Sequence, residues 1–228
     1  MILIRNFRTR RVLGLVLLLV VMPTLLAVSL FAADGRKYLL ISTLVAAFSL
    51  LLFACGYDSK SRGARRLALS AVMTALAVIG RFVPIVKPTA ALAIISGVTL
   101  GPQTGFLVGS FSAFVSDFFF GQGPWTPFRM IAWGTIGLLG GLFSSVLEKN
   151  RVLLVGFGGL SGFVFSLIMD VWTVVWYSGS FSPALYLTAT VTALPFTLLY
   201  AFSNALFLYA LAPSFIKKLG RIKMRYRI

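Results

Sequence analysis

Apolar residues run along this chain in long blocks and do not alternate with polar ones. The blocks lie at 12–33, 38–56, 66–84, 89–101, 103–120, 128–147, 151–177 and 185–211. A membrane-spanning helix needs ~20 apolar residues at ~1.5 Å rise each, and most of these blocks approach or exceed that length. The pattern predicts an all-α integral membrane protein, because a β-barrel would require alternating strands. Gly101-Pro102 divides the fourth block from the fifth, since proline cannot continue a helix without losing a hydrogen bond. The polar stretch Gly56–Gly63 separates a two-helix N-terminal hairpin with its loop, residues 1–63, from a six-helix module with a basic tail, residues 64–228.

Charge supplies the direction. The basic clusters are Arg5/Arg8/Arg10/Arg11, Lys60/Arg62/Arg65/Arg66, Lys149/Arg151 and the six residues from Lys217 to Arg227. Basic residues flanking membrane helices stay in the cytoplasm. Eight spans put all four clusters and both termini on that side; seven would put the C-terminal six outside. The chain is therefore expected in the cell membrane with Gly101-Pro102-Gln103 as a tight inner turn. The first apolar stretch, ~20 residues, is longer than the ~7–15 of a signal peptide, so it reads as a retained helix.

Composition agrees with the bilayer as solvent. Hydrophobic residues make up 59%, charged residues 11%, and mean hydropathy is +0.96; soluble domains carry roughly a quarter charged residues. The net charge of +16 would suggest nucleic acid in a soluble protein, but here it sits between apolar blocks. The chain has no histidine and five acids, which excludes histidine-based catalysis or metal binding. Its single cysteine, Cys55, excludes an intrachain disulfide. No P-loop is present, so the chain cannot bind ATP in that manner, and any uphill import would need an external motor.

Small residues recur at helical spacing. Ala64, Ala68, Ala71 and Ala75 share one face, which permits close approach of another helix, either inside the bundle or from a separate subunit. Gly97 and Gly101 on one helix, and Gly105 and Gly109 on the next, predict tight packing of the two short helices.

The chemistry gathers at the predicted outer end. Between Asp117 and Arg129, the sequence DFFFGQGPWTPFR combines an acid, a base, an amide and aromatics around turn-forming Gly and Pro. This mixture suits the wall of a ligand pocket, although an aromatic belt at the membrane surface also uses such rings. Asp170 lies inside an apolar block, where an ionisable group faces the protein interior or a cavity. It is expected to pair with Arg129 or to bind the ligand. Thr173 and Tyr177 lie near its face, with Trp172 and Trp176 alongside. Asn204 is a weaker buried polar candidate. The expected binding residues are Arg81, Lys87, Asp117, Phe120, Gln122 and Trp125, then Arg129, Trp133 and Asp170, and finally Trp172, Trp176, Tyr177 and Tyr186.

Three motifs, in order, resemble the substrate-binding (S) subunits of energy-coupling factor (ECF) vitamin transporters. They are RRLALSAVMTA from Arg65, GPQTGFLVG from Gly101, and the Asp117–Arg129 loop followed by WGTIGLLGGL from Trp133. The likeness covers about 64–213. It implies no enzymatic activity and no covalently bound cofactor. It implies capture of a vitamin at the outer surface and docking through Ala68, Ala71 and Ala75 on a transmembrane coupling subunit, which carries two cytoplasmic ATPases. The Phe118–Phe128 loop looks most like the cobalamin-type subunits, so the expected ligand is cobalamin or a related corrinoid. A flavin, a queuosine precursor or a thiamine precursor are the alternatives within the class. An intramembrane enzyme or a ligand-free structural subunit are the alternatives outside it. The N-terminal hairpin departs from the minimal six-helix subunit.

Overall fold

A computed structural model describes residues 14, 16–31, 37–55, 60–84 and 87–226. The Arg5–Arg11 cluster, Ala32-Ala33, Arg36, residues 56–59 of the polar loop and Arg227 lie outside the described residues. Those described are helical wherever regular, and none forms a strand. A π-helical turn, Leu17–Val21, leads into α1 (Met22–Phe31), followed by α2 (Lys37–Cys55) and α3 (Lys60–Gly80). Then come α4 (Thr89–Leu100), α5 (Pro102–Phe120), α6 (Trp125–Leu142) and the single turn α7 (Ser144–Leu147). The chain closes with α8 (Arg151–Ser178) and α9 (Pro183–Tyr226). By length and composition, Arg151–Ser178 and Pro183–Arg225 can each cross a membrane.

The short helix α4 is the centre of the bundle. All 12 of its residues are buried, and it meets α3, α5, α6, α8 and α9. At ~1.5 Å per residue it is only ~18 Å long, short for a full span. Its small side chains explain the crowding. A methyl group on Gly97 would collide with the Gly137 carbonyl of α6, and so would one on Gly105 of α5. The Gly105 methyl would also stand 2.7 Å from the Gly97 Cα. Three backbones therefore touch where side chains would hold them apart. Of the glycine pairs expected on α4 and α5, Gly97 and Gly105 do pack together, whereas Gly101 falls in the turn and Gly109 meets Trp133 and Gly134 of α6; Gly137 is an addition from the structure. The turn between α4 and α5 falls at Gly101, whose φ of 104° is a conformation that favours glycine, and Pro102 opens α5 at a position where its missing N–H has no partner to lose.

Several boundaries differ from the sequence reading: α3 spans 60–80 rather than 66–84, α6 ends at 142 rather than 147, and two further differences have a clear cause. Helix α6 begins at Trp125 rather than 128, because Pro127 falls in the first turn, where its missing N–H breaks no bond. Helix α9 runs to Tyr226 rather than ending near 211, and it contains Pro195 and Pro213. Pro213 leaves the Tyr209 carbonyl without its helical donor. Arg151 of α8 supplies one: its Nη2 donates to Tyr209 O at 2.8 Å, with the guanidinium 4.1 Å from the Tyr209 ring. Beyond Pro213 the helix still packs on the bundle, with Leu219 buried and Lys223 Nζ donating to Thr99 O at 3.3 Å. Arg66 Nη1 donates to the neighbouring Leu100 O at 2.8 Å. Basic residues from α3 and α9 thus cap the carbonyl end of α4, where cations are favoured by the helix dipole.

On α3, Ser70, Met73, Ala77 and Val78 are buried, whereas Ala64, Ala68, Ala71 and Ala75 are exposed. Exposed Leu67, Val72, Leu76 and Ile79 flank them.

Overpacking a tight contact costs about 1–3 kcal/mol. Gly105→Ala should therefore lower the unfolding temperature of the detergent-solubilised protein by several degrees. Gly156→Ala, on α8 with nothing within 4 Å of the added methyl, should leave it unchanged. Differential scanning fluorimetry distinguishes the two.

Candidate ligand-binding site

The candidate residues collect at the end of the bundle where α5 passes into α6 and α8 into α9, opposite the basic cap on α4. Gly121 (φ 98°) ends α5 and turns the chain so that α6 starts four residues later. Asp117, one turn before this bend, is fully buried. Its Oδ1 accepts from Arg81 Nη1, in the loop after α3, and from Arg129 Nη1 of α6, each at 2.5 Å. Its Oδ2 accepts from Thr126 Oγ1 at 2.8 Å. Thr126 Oγ1 in turn accepts from the Gly123 N–H at 3.2 Å. Arg81 Nη1 also donates to Ser116 Oγ. A single carboxylate thus joins three segments of chain. Burying two arginines requires such pairing, since an unpaired charge in a low-dielectric interior is strongly disfavoured.

The pairing corrects one expectation. Asp117, not Asp170, is the partner of Arg129. Asp117 is placed by α5 between the two cations, whereas Asp170 lies on α8 with Thr190 of α9 alongside. Ser116 and Thr126 were not anticipated from the sequence; Ser-x-x-x-Ser spacing on α5 and a threonine in the first turn of a helix are too common to single out.

Lys87 lies close by. Its backbone N–H donates to Ser203 Oγ at 2.9 Å, and Ser203 Oγ donates back to its carbonyl at 3.1 Å. This fixes the α3–α4 loop against α9. The ring of Phe120 stands 4.7 Å from the Arg81 guanidinium and 5.9 Å from Lys87 Nζ. Burial, and then the positive charges of Arg81 and Arg129, push the Lys87 ammonium below its usual pKa.

An aromatic series links this cluster to α8. Trp125 meets Trp172 edge to face at 5.8 Å, and Trp172 stacks on Trp176 at 5.9 Å. Trp133 lies deeper, stacked on Phe165 at 5.7 Å, and Phe165 stacks on Tyr200 at 5.0 Å. At 1% exposure Trp133 is a core residue beneath the site and not part of its surface. Gln122 turns inward, its Nε2 donating to Phe114 O at 3.0 Å. Tyr186 is also engaged, its hydroxyl donating to Leu167 O at 3.1 Å.

Between α8 and α9 opens a cavity of about 580 Å³. Asp170, Thr173 and Tyr177 line one side, with Thr188, Thr192 and Phe196 on the other. The one-face arrangement of Asp170, Thr173 and Tyr177 read from the sequence is therefore present. Several buried polar atoms at this end have no hydrogen-bond partner: Asp170 Oδ2, Thr190 Oγ1, Trp172 Nε1, Trp133 Nε1 and Gln122 Oε1. Buried polar groups are normally satisfied; of these atoms only Asp170 Oδ2 belongs to a residue that lines the cavity, and Thr190 lies alongside Asp170.

The profile of the family described as "ECF-type riboflavin transporter, S component" matches residues 63–221. The chain belongs to that family. Its members are transport subunits of the membrane, not enzymes. This S component is 33% identical over 115 residues to a UPF0397 protein of Aliivibrio salmonicida, covering 50% of this chain and 60% of the relative. It is 38% identical over 66 residues to UPF0397 proteins of Aliivibrio fischeri and Vibrio atlanticus, covering 29% of this chain and 35% of each relative. The chain thus spans less than two thirds of the curated relatives it matches. No solved structure matches it significantly. The family description names riboflavin, so the match supports the S-component reading without the cobalamin-type refinement.

Removing one member of a buried ion pair costs about 3–5 kcal/mol because its partner is left unpaired. Asp117→Asn in this S component strands two arginines and should destabilise it more than Arg129→Gln, which strands none. Unfolding of the purified variants in detergent, followed by tryptophan fluorescence, gives the order.

Proposed function

We propose that this chain captures a flat-ringed vitamin at its aromatic end and delivers it through an ECF-type importer. The observation that carries the reading is the 580 Å³ cavity lined by Asp170, Thr173 and Tyr177, where Asp170 Oδ2 is buried without a hydrogen-bond partner. Its volume falls in the range of ligand pockets, and it is open along one side, where Tyr177 and Phe196 are exposed. Its polar groups are few and specific, as orientation of such a ligand requires.

A flavin is the ligand we favour. The family description names riboflavin, and the imide N–H of a flavin ring is a donor for Asp170 Oδ2. The edge of the Trp125–Trp172–Trp176 series supplies ring faces for stacking. Cobalamin is the second reading. It is favoured by the exposed rings of Phe118, Phe119, Trp176 and Tyr177 at the rim, which would contact a ligand too large for the cavity to enclose.

The exposed alanine face of α3 is the proposed docking surface for a coupling subunit with its ATPases. Small residues let a partner helix approach closely in lipid, where packing rather than hydrophobic exclusion drives association. The face points away from α4 and α5, so docking there leaves the cavity between α8 and α9 uncovered.

Two variants separate these roles. Asp170→Ala removes a charged hydrogen-bonding group worth about 1.5–3 kcal/mol, or roughly 10–100-fold in affinity. It should weaken flavin binding, measured by quenching of flavin fluorescence, and leave co-purification with the coupling subunit intact. Ala71→Trp should abolish co-purification and leave flavin binding intact. Loss of both properties in both variants would refute the separation. A thermal-shift panel of riboflavin, cobalamin, thiamine and queuine decides the ligand.

A further inference from the structure

Three cations meet at the aromatic end, and one carboxylate answers them. Arg81 and Arg129 share a single oxygen of Asp117, while Thr126 occupies the other. Lys87 lies within electrostatic reach of both guanidiniums. The other acids among the described residues are Glu148, beyond α7 toward the opposite end, and Asp170, which forms no ion pair. Three positive groups facing one negative group leave a surplus of two charges.

The donors are also incompletely used. A guanidinium has five N–H donors. Among the described residues, Arg81 and Arg129 each bond to protein acceptors only through Nη1, so Nε and Nη2 of both remain available. Phe120 and Trp133 present ring faces to Arg81. Such contact stabilises a cation without cancelling its charge. The three groups are nonetheless held in place, Arg81 and Arg129 by Asp117 and Lys87 by the two hydrogen bonds between its backbone and Ser203. Two held guanidinium forks with an ammonium close by suit a phosphate or carboxylate far better than a neutral group.

We propose that Arg81, Lys87 and Arg129 form a subsite for an anionic group on the transported ligand, with Asp117 as the positioning residue that aims the two arginines. The proposal rests on the reading of this chain as a ligand-binding subunit and adds the charge of the ligand to it.

Riboflavin and flavin mononucleotide differ only in a phosphate and make a matched pair of probes. Their binding to the full-length protein in detergent is measured at constant ionic strength, together with the thermal shift produced by inorganic phosphate. The same measurements are made on Lys87→Gln. Lys87→Met takes its place if the amide variant does not fold. The mononucleotide should bind at least about tenfold more tightly than riboflavin, and Lys87→Gln should erase that preference. Phosphate should stabilise the parent protein more than Lys87→Gln, which removes the general effect of a kosmotropic anion from the comparison.

If neither flavin binds but phosphate acts in a Lys87-dependent way, the anion subsite stands and the flavin reading falls. If riboflavin binds as tightly as the mononucleotide, and the variant changes neither flavin affinity nor phosphate response, the flavin reading stands and the subsite is overturned. Absence of any Lys87-dependent effect overturns it in every case.

Discussion

The contact of three helix backbones at Gly97, Gly105 and Gly137 governs the rest of this structure. In lipid, helices gain little by hiding apolar side chains from one another, because the surroundings are equally apolar; they associate where surfaces fit closely. With no side chain at the contact, α4 sinks between α5 and α6 until it is wholly buried. A helix too short to span the bilayer on its own is thereby held at a defined depth. The chain entering and leaving it, Lys87 at one end and Gly101 at the other, is placed by the same contact.

Polar organisation follows from that placement. Burial of α4 brings the α3–α4 loop beside the α5–α6 bend, so Arg81 and Arg129 converge on one residue. Asp117 makes this arrangement tolerable and at the same time makes it rigid, because both of its oxygens are occupied. The contrast with Asp170 is instructive. One acid is saturated and ties elements together; the other keeps an oxygen without a partner beside a cavity. Two buried carboxylates of the same type thus have different capacities, set by how many donors their surroundings already provide.

Much of this was legible from residue order. Long apolar blocks marked the helices, Gly101-Pro102 marked the turn, and the four-residue glycine spacing marked a close contact. The position of Asp170 on the face of Thr173 and Tyr177 followed from helical periodicity alone. What the sequence left ambiguous were pairings across the chain. Nothing local distinguishes Asp117 from Asp170 as the partner of Arg129; separation of 12 residues against 41 is decided only once α5 and α6 are seen side by side. Trp133 illustrates the same difficulty, since a tryptophan beneath a pocket and one lining it have the same neighbours in sequence. The extent of α9 was obscured for another reason: the apolar block ends at 211, and the helix continues through Pro213 into the basic tail.

That last arrangement has a mechanical consequence. Helix α9 is 44 residues of continuous backbone, ~66 Å along its axis. It is fastened at two points, from Ser203 near its middle to Lys87 just before α4, and from Lys223 near its C-terminal end to Thr99 of α4. The segment from Thr188 to Phe196 that forms a cavity wall belongs to the same rod. Between the basic tail and the wall the helical ladder lacks a rung at Pro213, where Arg151 holds the released Tyr209 carbonyl, and within the wall it lacks another at Pro195.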